Sequence, residues 1–289
     1  MKRLIVTADD FGLSIPVNEA VEEAHRRGIL TAASLMVGAP AAEDAVNRAR
    51  RMPKLGVGLH LVLVDGQPLS PIEDVPDLLE PDGLFSRDLF RKGAEIFLRS
   101  ETRAQMDSEV ESQFEAFRRT GLPLDHVNGH HHFHLHPSVA ASIAARAARF
   151  DVRAVRVPNE PFLSSWRAMD GGLKRRFATW LFHLPQVLSL KRRLRSVGIA
   201  ANDRIFGLND SGAMTRTTVL KFLEHLPTGV SELYCHPATR RWDTPFPIRP
   251  DYRCVEEFEA LVDSEVVAAV KRLRIELIPF AALAAPHRT

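Results

Sequence analysis

Short apolar runs alternate with amphipathic stretches along this chain, and that alternation restricts the fold more than any other feature. Leu4–Ala8 (LIVTA) precedes a helical pattern over Pro16–Arg27, and Ala32–Val37 (AASLMV) precedes one over Pro40–Met52. Leu55–Leu63 (LGVGLHLVL) precedes a long excursion. Further strands are expected at Leu124–Asn128, Arg153–Val157, Arg204–Phe206, Val230–Cys235 and Ile275–Ile278. Further helices are expected at Thr102–Arg119, Ser138–Arg149, Thr217–Leu226 and Val255–Arg272. Ser14 is a candidate cap for the first helix, and Gly28 falls just past its end. Strands separated by helices pair in parallel, because each helix returns the chain across the sheet. So many units imply an α/β fold closed, or nearly closed, into a barrel, and their irregular spacing makes that barrel distorted. A doubly wound open sheet is the structural runner-up. The first strand-to-helix turn reads DDFG rather than GxGxxG, so a dinucleotide site has no support.

A length of 289 residues suits one such barrel, read here as a single domain over 1–289. The excursion from Asp65 to about Phe97 is rich in Pro and Gly and too long for an ordinary connection. It is expected to be a functional loop or lid without regular structure. Hydrophobic residues at 45% exclude extensive disorder. No apolar run approaches the roughly 18–20 residues of a membrane span, and MKRLIVTADDFG meets two aspartates too early for a signal peptide. Cys235 and Cys254 are expected to be free thiols in a reducing cytoplasm.

Charge is unevenly spread. Residues 171–202 hold Lys174, Arg175, Arg176, Lys191, Arg192, Arg193 and Arg195 and no acidic residue, so the net charge of +2 leaves about −5 for the rest of the chain. No nucleic-acid-binding signature accompanies this block, and no nucleic-acid partner is expected. Phe177, Trp180, Leu181, Phe182, Leu184 and Leu188 lie between the two basic clusters. The segment reads either as a solvated helix pair outside the barrel or as a surface that rests on anionic lipid, at the inner face of the membrane.

Chemistry concentrates at four places. Asp125–Pro137 reads DHVNGHHHFHLHP and holds six of the twelve histidines, a density that points to a metal site. Asp9 and Asp10 are adjacent carboxylates at the end of the first strand, where packing alone gives no reason for them. His60 interrupts an apolar strand, and His236 ends another in YCHP. A lone histidine in a strand, such as His60 or His236, reads more readily as a satisfied core residue than as a ligand. Together the four places all fall at the carboxyl ends of parallel strands, the face that carries the active site of an α/β barrel.

The segments TADDFG (Thr7–Gly12), GLHL (Gly58–Leu61), HHHFHLHP (His130–Pro137) and CHP (Cys235–Pro237) resemble the YdjC-like carbohydrate deacetylases. The resemblance implies a distorted (β/α) barrel related to NodB-type polysaccharide deacetylases, and removal of acetyl groups from N-acetylated sugars. It implies that Asp10, His60 and His130 bind one divalent metal, with zinc or magnesium foremost and manganese, cobalt or nickel also suited to such donors. It implies further that Asp9 is the catalytic base and His236 the general acid, with His132 and His134 supporting the ligands or touching substrate. An added helical segment at about 162–202, with LNDSGAMT (Leu208–Thr215), resembles the hopanoid-biosynthesis-associated subgroup, HpnK. That resemblance implies a lipid-linked substrate, an N-acetylglucosaminyl hopanoid. Soluble chitooligosaccharides, or lactams and other amides on the same barrel, are the alternatives. A homo-oligomer is left open.

Overall fold

Strand β1 (Lys2–Phe11) is the axis around which the other strands assemble. It pairs in parallel with β6 (Gly229–Cys235) from Lys2↔Gly229 to Ala8↔Cys235. On its other side it pairs first with β7 (Ile275–Leu277) and then with β2 (Ala32–Leu35). β2 pairs with β3 (Gly56–Leu61), β3 with β4 (Val127–Gly129), and β6 with β5 (Arg204–Phe206), every pair parallel. The computed structural model describes residues 1–243 and 246–283. Within them the sheet runs β4-β3-β2-β1-β6-β5 and curls into a half-barrel with helices outside. Parallel strands covered on both faces need no polar alternation, which is why β2 and β3 are buried at every position.

The segment expected as a strand at Arg153–Val157 is not one, yet it spans the gap between the two edge strands. Val127 N donates to Ala154 O and Arg156 N to Val127 O, while Val155 N donates to Ala200 O. Beyond Val155 the ladder stops, because the Asn202 side chain takes the place of a neighbouring strand. Its Oδ1 accepts from Val157 N at 2.7 Å and its Nδ2 donates to Val157 O at 3.0 Å.

The helices follow the sequence pattern with three departures. Helix α1 (Ile15–Arg27) starts at Ser14, but that hydroxyl makes no capping bond. Gly28 ends it with an ordinary negative φ. Its role is close approach, since a Cβ there would lie 2.1 Å from Leu261 O. After α2 (Ala42–Ala49), the excursion expected to lack regular structure contains two 3-10 turns, Ile72–Asp74 and Pro76–Leu78, and then helix α3 (Leu89–Leu98), capped by the Asp88 carboxylate on Arg91 N. Helices α4 (Ser100–Arg119) and α5 (Pro137–Arg146) pack next. The basic segment at about 162–202 forms α6 (Phe162–Met169) and α7 (Leu173–Ser196). After α8 (Arg216–Glu224), the stretch expected as one helix over Val255–Arg272 splits into α9 (Cys254–Val262) and α10 (Ser264–Arg272). Asp263 causes the break: its carboxylate accepts from Glu265 N and Val266 N and starts the second helix.

Both cysteines are free and buried. Among the described residues no helix is long and apolar enough to cross a membrane.

Candidate active site and metal centre

The carboxyl ends of β1, β3, β4 and β6 meet at the floor of a cleft of about 680 Å³. Asp9, Asp10, His60, His130, His132 and His236 all line it. Asp10 Oδ1 lies 3.3 Å from His60 Nε2 and 3.2 Å from His130 Nδ1. One donor atom from each of the three residues falls within 4.8 Å of the others. Asp10 Oδ1 and His60 Nε2 are buried and have no hydrogen-bond partner. Donor atoms held about 2.0–2.1 Å from a common ion sit about 3 Å from one another, so the three residues fit a divalent metal. The set is one carboxylate and two imidazoles, which leaves coordination positions free for water and substrate. A second triple, Asp65, His130 and His131, is more exposed, and Asp65 is already bonded to His131 at 3.2 Å. The triple of Asp10, His60 and His130, more enclosed and with two buried atoms lacking a partner, is therefore the better site.

A chain of buried polar groups fixes His60 from behind. His60 Nδ1 donates to Asn128 Oδ1 at 2.7 Å, which leaves the Nε2 lone pair facing the cleft. Asn128 Nδ2 donates to Ser34 Oγ at 2.8 Å and to Asp9 Oδ1 at 3.3 Å. Ser34 Oγ reaches His126 Nε2 at 3.0 Å, and His126 Nδ1 donates to Asp125 Oδ2 at 2.9 Å. Asp125 in turn accepts from Phe280 N and Ala281 N. Every member has a partner, as a buried network requires. Gly58 makes room for it: a Cβ there would lie 2.4–2.6 Å from the His126 ring.

Asp9 is held differently from Asp10. Arg156, fully buried, donates to both its oxygens, at 2.6 and 2.9 Å. The same guanidinium donates to Glu232 Oε1 at 2.9 and 2.6 Å, and Thr7 Oγ1 donates to that oxygen too. Burial alone would raise the Asp9 carboxyl, but the charge and bonds of Arg156 outweigh it and hold Asp9 far below the usual carboxylate range. Burial opposes ionisation of Asp10 as well, and there His130 and His60 prevail.

The histidine cluster divides into separate roles. His131 bonds Asp65, and His132 Nε2 bonds the Tyr234 hydroxyl at 3.1 Å. His134 does not reach the cleft wall. It is fully buried, with Nε2 on Arg156 O at 3.1 Å, and burial and Arg156 lower it to about 3. His136 accepts from Ser138 N at the start of α5. His131 and His132 have φ of 51° and 56°, and Asp10 has 62°. Non-glycine residues in the left-handed region cost about 1–3 kcal/mol each, so this floor is strained where its ligands turn.

His236 faces the cleft with Nδ1 unpartnered, its ring between Tyr234 and Tyr252. Buried Glu257 accepts from its backbone N–H at 2.6 Å and fixes the strand end. The cleft's flank comes from the 65–97 excursion, through Asp65, Gln67, Leu69, Arg87 and Leu89, and from His183 of α7.

Sequence reasoning found the carboxylates and histidines of the floor but not Arg156, Asn128 or Glu232. Arg156 (RAVRV) and Glu232 (GVSELYC) are charged residues inside mostly apolar runs, the same signal that marked His60, whereas Asn128 sits among polar residues and carries no such mark.

The model of the family described as YdjC-like protein matches residues 3–272. A carbohydrate deacetylase of Geobacillus stearothermophilus is 32% identical over 279 residues, 96% of each chain. A carbohydrate deacetylase of Brevibacillus brevis is 42% identical over 156 residues, 54% of this chain, so the alignment spans 59% of that protein. Among solved structures, one from Enterococcus faecalis V583, named for a suggested cellobiose-phosphate cleavage activity, superposes with a TM-score of 0.73 at 25% identity. That superposition covers 98% of this chain and 99% of the other.

Proposed function

The chain belongs to the YdjC-like family, and from that premise we propose that it is a metal-dependent hydrolase that removes the acetyl group from an N-acetylated sugar. The observation that carries the reading is the convergence, in one cleft, of three donors fit for a divalent ion with an ionised Asp9 and an unpartnered His236 nitrogen.

Hydrolysis adds water across the acetamide: the carbonyl carbon gains a hydroxyl, the carbon–nitrogen bond breaks, and acetate and a free amine leave. A divalent ion held by Asp10, His60 and His130 would supply Lewis acidity, toward the acetyl oxygen and toward the attacking water. Asp9 takes the water proton. Arg156 keeps it ionised and aims it, at the cost of making it a weak base. His236 gives a proton to the departing nitrogen, since an amide nitrogen leaves poorly without one. His132 bonds Tyr234 beside this pair and is read as a substrate contact. His134, behind the wall, supports the floor instead.

The finer reading, drawn from resemblance to the hopanoid-associated subgroup, is a lipid-linked N-acetylglucosaminyl acceptor. Soluble chitooligosaccharide is the alternative acceptor. Zinc or magnesium is the expected ion, and the whole of 1–289 acts as one catalytic unit.

Metal-loaded protein incubated with soluble and lipid-linked N-acetylglucosaminyl substrates tests this by released acetate. Acetate from either supports deacetylation, and the pattern assigns the acceptor. No acetate from either, with metal bound, overturns the reading in favour of another amide. Asp9→Asn is expected to lower kcat by about 10²–10⁴-fold with metal affinity retained. Near-normal turnover would remove Asp9 as the base.

A further inference from the structure

We infer that the outer face formed by α3 and α7 seats this protein on an anionic lipid bilayer, with the mouth of the cleft turned toward the membrane surface. In α7, Lys174, Phe177, Leu181, Leu188, Arg192 and Arg195 recur at helical spacing along one side, and all are exposed. The opposite side carries Val187, Leu190 and Leu194 into the core. The middle of the outer stripe is apolar, with Leu181 52% and Leu188 57% exposed, and both of its ends are cationic.

The apolar surface continues onto a second element. Phe182, 52% exposed, places its ring 6.1 Å from that of Phe90 in α3, itself 76% exposed. The chain neighbours of these two residues, His183 and Leu89, line the cleft. The exposed patch therefore runs to the cleft's rim, built from two segments that are distant in sequence. A solvated helix pair has no need of such a patch at a substrate opening.

Charge decides what covers it. Two copies of the chain packed through this stripe would set cations against cations in either orientation, because both ends are positive and residues 171–202 contain no acid. A nucleic acid would satisfy the cations and leave the leucines and phenylalanines in water. An anionic bilayer satisfies both, with the rings and leucines at the acyl boundary and Lys174, Arg192 and Arg195 at the headgroups. Arg176 takes no part, being buried against Glu160 and Asp210. This inference extends the deacetylase reading by giving a lipid-linked sugar a path into the cleft, and rests on that reading only for what is delivered.

The test is cosedimentation of the full chain with vesicles of phosphatidylcholine, alone or mixed with phosphatidylglycerol. Expected is binding to the anionic vesicles at low salt, lost at high salt, and little binding to phosphatidylcholine alone. Leu181→Ser with Leu188→Ser, and separately Arg192→Glu with Arg195→Glu, are each expected to weaken anionic-vesicle binding about tenfold or more. Far-ultraviolet circular dichroism and the urea midpoint serve as the check on folding and are expected to be unchanged in both. Absence of binding at low salt overturns the inference, as does binding that ignores lipid charge. A wild-type dimer that both double variants convert to monomer overturns it in favour of a second copy. Vesicle binding without acetate from any substrate overturns the deacetylase reading and leaves the docking face standing.

Discussion

Arg156 grips both oxygens of Asp9, at 2.6 and 2.9 Å, from a segment that bridges the two edge strands of the half-barrel. The contact ties barrel geometry to chemistry, because the residue proposed to take the water proton is oriented by the part of the chain that spans the sheet's gap. Arg156→Met leaves Asp9 and Glu232 buried without their cation. Such a break costs about 3–5 kcal/mol, read as a lower urea midpoint. Adding Asp9→Asn removes one stranded charge and is expected to recover part of the loss. If the double variant is no more stable than Arg156→Met alone, Asp9 is not the group that Arg156 compensates.

Asn128 is predicted to govern metal affinity without touching the metal. It fixes the His60 ring by accepting from Nδ1, and it links that ring to Ser34 and Asp9. Removal of such a partner from a ligating histidine lowers metal affinity about 10–100-fold. Titration calorimetry of Asn128→Ala with zinc is expected to fall in that range, with far-ultraviolet circular dichroism unchanged. Wild-type affinity in this variant would mean that the rest of the wall holds His60 in place unaided.

The floor of the site was legible in the sequence because its residues contradict their surroundings. Asp9, Asp10 and His236 are ionisable groups at the ends of apolar runs and His60 interrupts one, and a run's polarity is visible locally. What Arg156 does was not legible, because its partners Asp9 and Glu232 lie on β1 and β6, far away in sequence, and meet it only when the sheet curls. The same limit explains the segment at 153–157. It has a strand's composition, but the Asn202 amide replaces the ladder on one side, a substitution that no periodicity reveals. Helix α3 was hidden for the opposite reason. Phe90, Phe97 and Leu98 are exposed, so its apolar residues do not mark a single buried face. The break at Asp263 lacks the usual Gly or Pro, and only the side-chain cap shows it.

His134 makes the fold sensitive to acid. Burial and the nearby Arg156 lower its pKa to about 3, whereas in the unfolded chain it returns to about 6.5. Between these values the unfolded chain binds a proton that the folded chain refuses, so stability falls as pH falls. Its contribution is whole above about pH 6.5 and shrinks toward pH 3, at a limiting slope of about 1.4 kcal/mol per pH unit. His132 is lowered in the same direction and adds to the slope. Urea titrations across this window are expected to show declining stability, and a shallower decline in His134→Gln, whose amide can still donate to Arg156 O. An unchanged slope in that variant would place the acid sensitivity elsewhere.

Arg176 offers a way to separate substrate positioning from chemistry. From α7 it donates to both oxygens of Asp210 at 2.8 Å and to Glu160 at 3.1 Å. Glu160 accepts from Leu208 N and Asn209 N. Leu208 and Ser211 stand in the cleft wall, and Ser211 Oγ bonds the hydroxyl of Tyr252, whose ring packs on His236. Helix α7 therefore braces one wall of the cleft through a buried guanidinium whose hydrogen bonds go to Glu160, Ser165, Asp210 and Gly171 O, and none to Asp9, Asp10, His60 or His130. Arg176→Met is expected to lower kcat/KM by about 10–100-fold, with most of the change in KM. Metal affinity is expected to stay at the wild-type value, because the ligands rest on other strands. Arg176→Lys keeps the charge but not the two-pronged contact with Asp210, so it should recover stability better than it recovers KM. If Arg176→Met lowered kcat and left KM alone, the brace would act through Tyr252 on His236 rather than on the substrate wall.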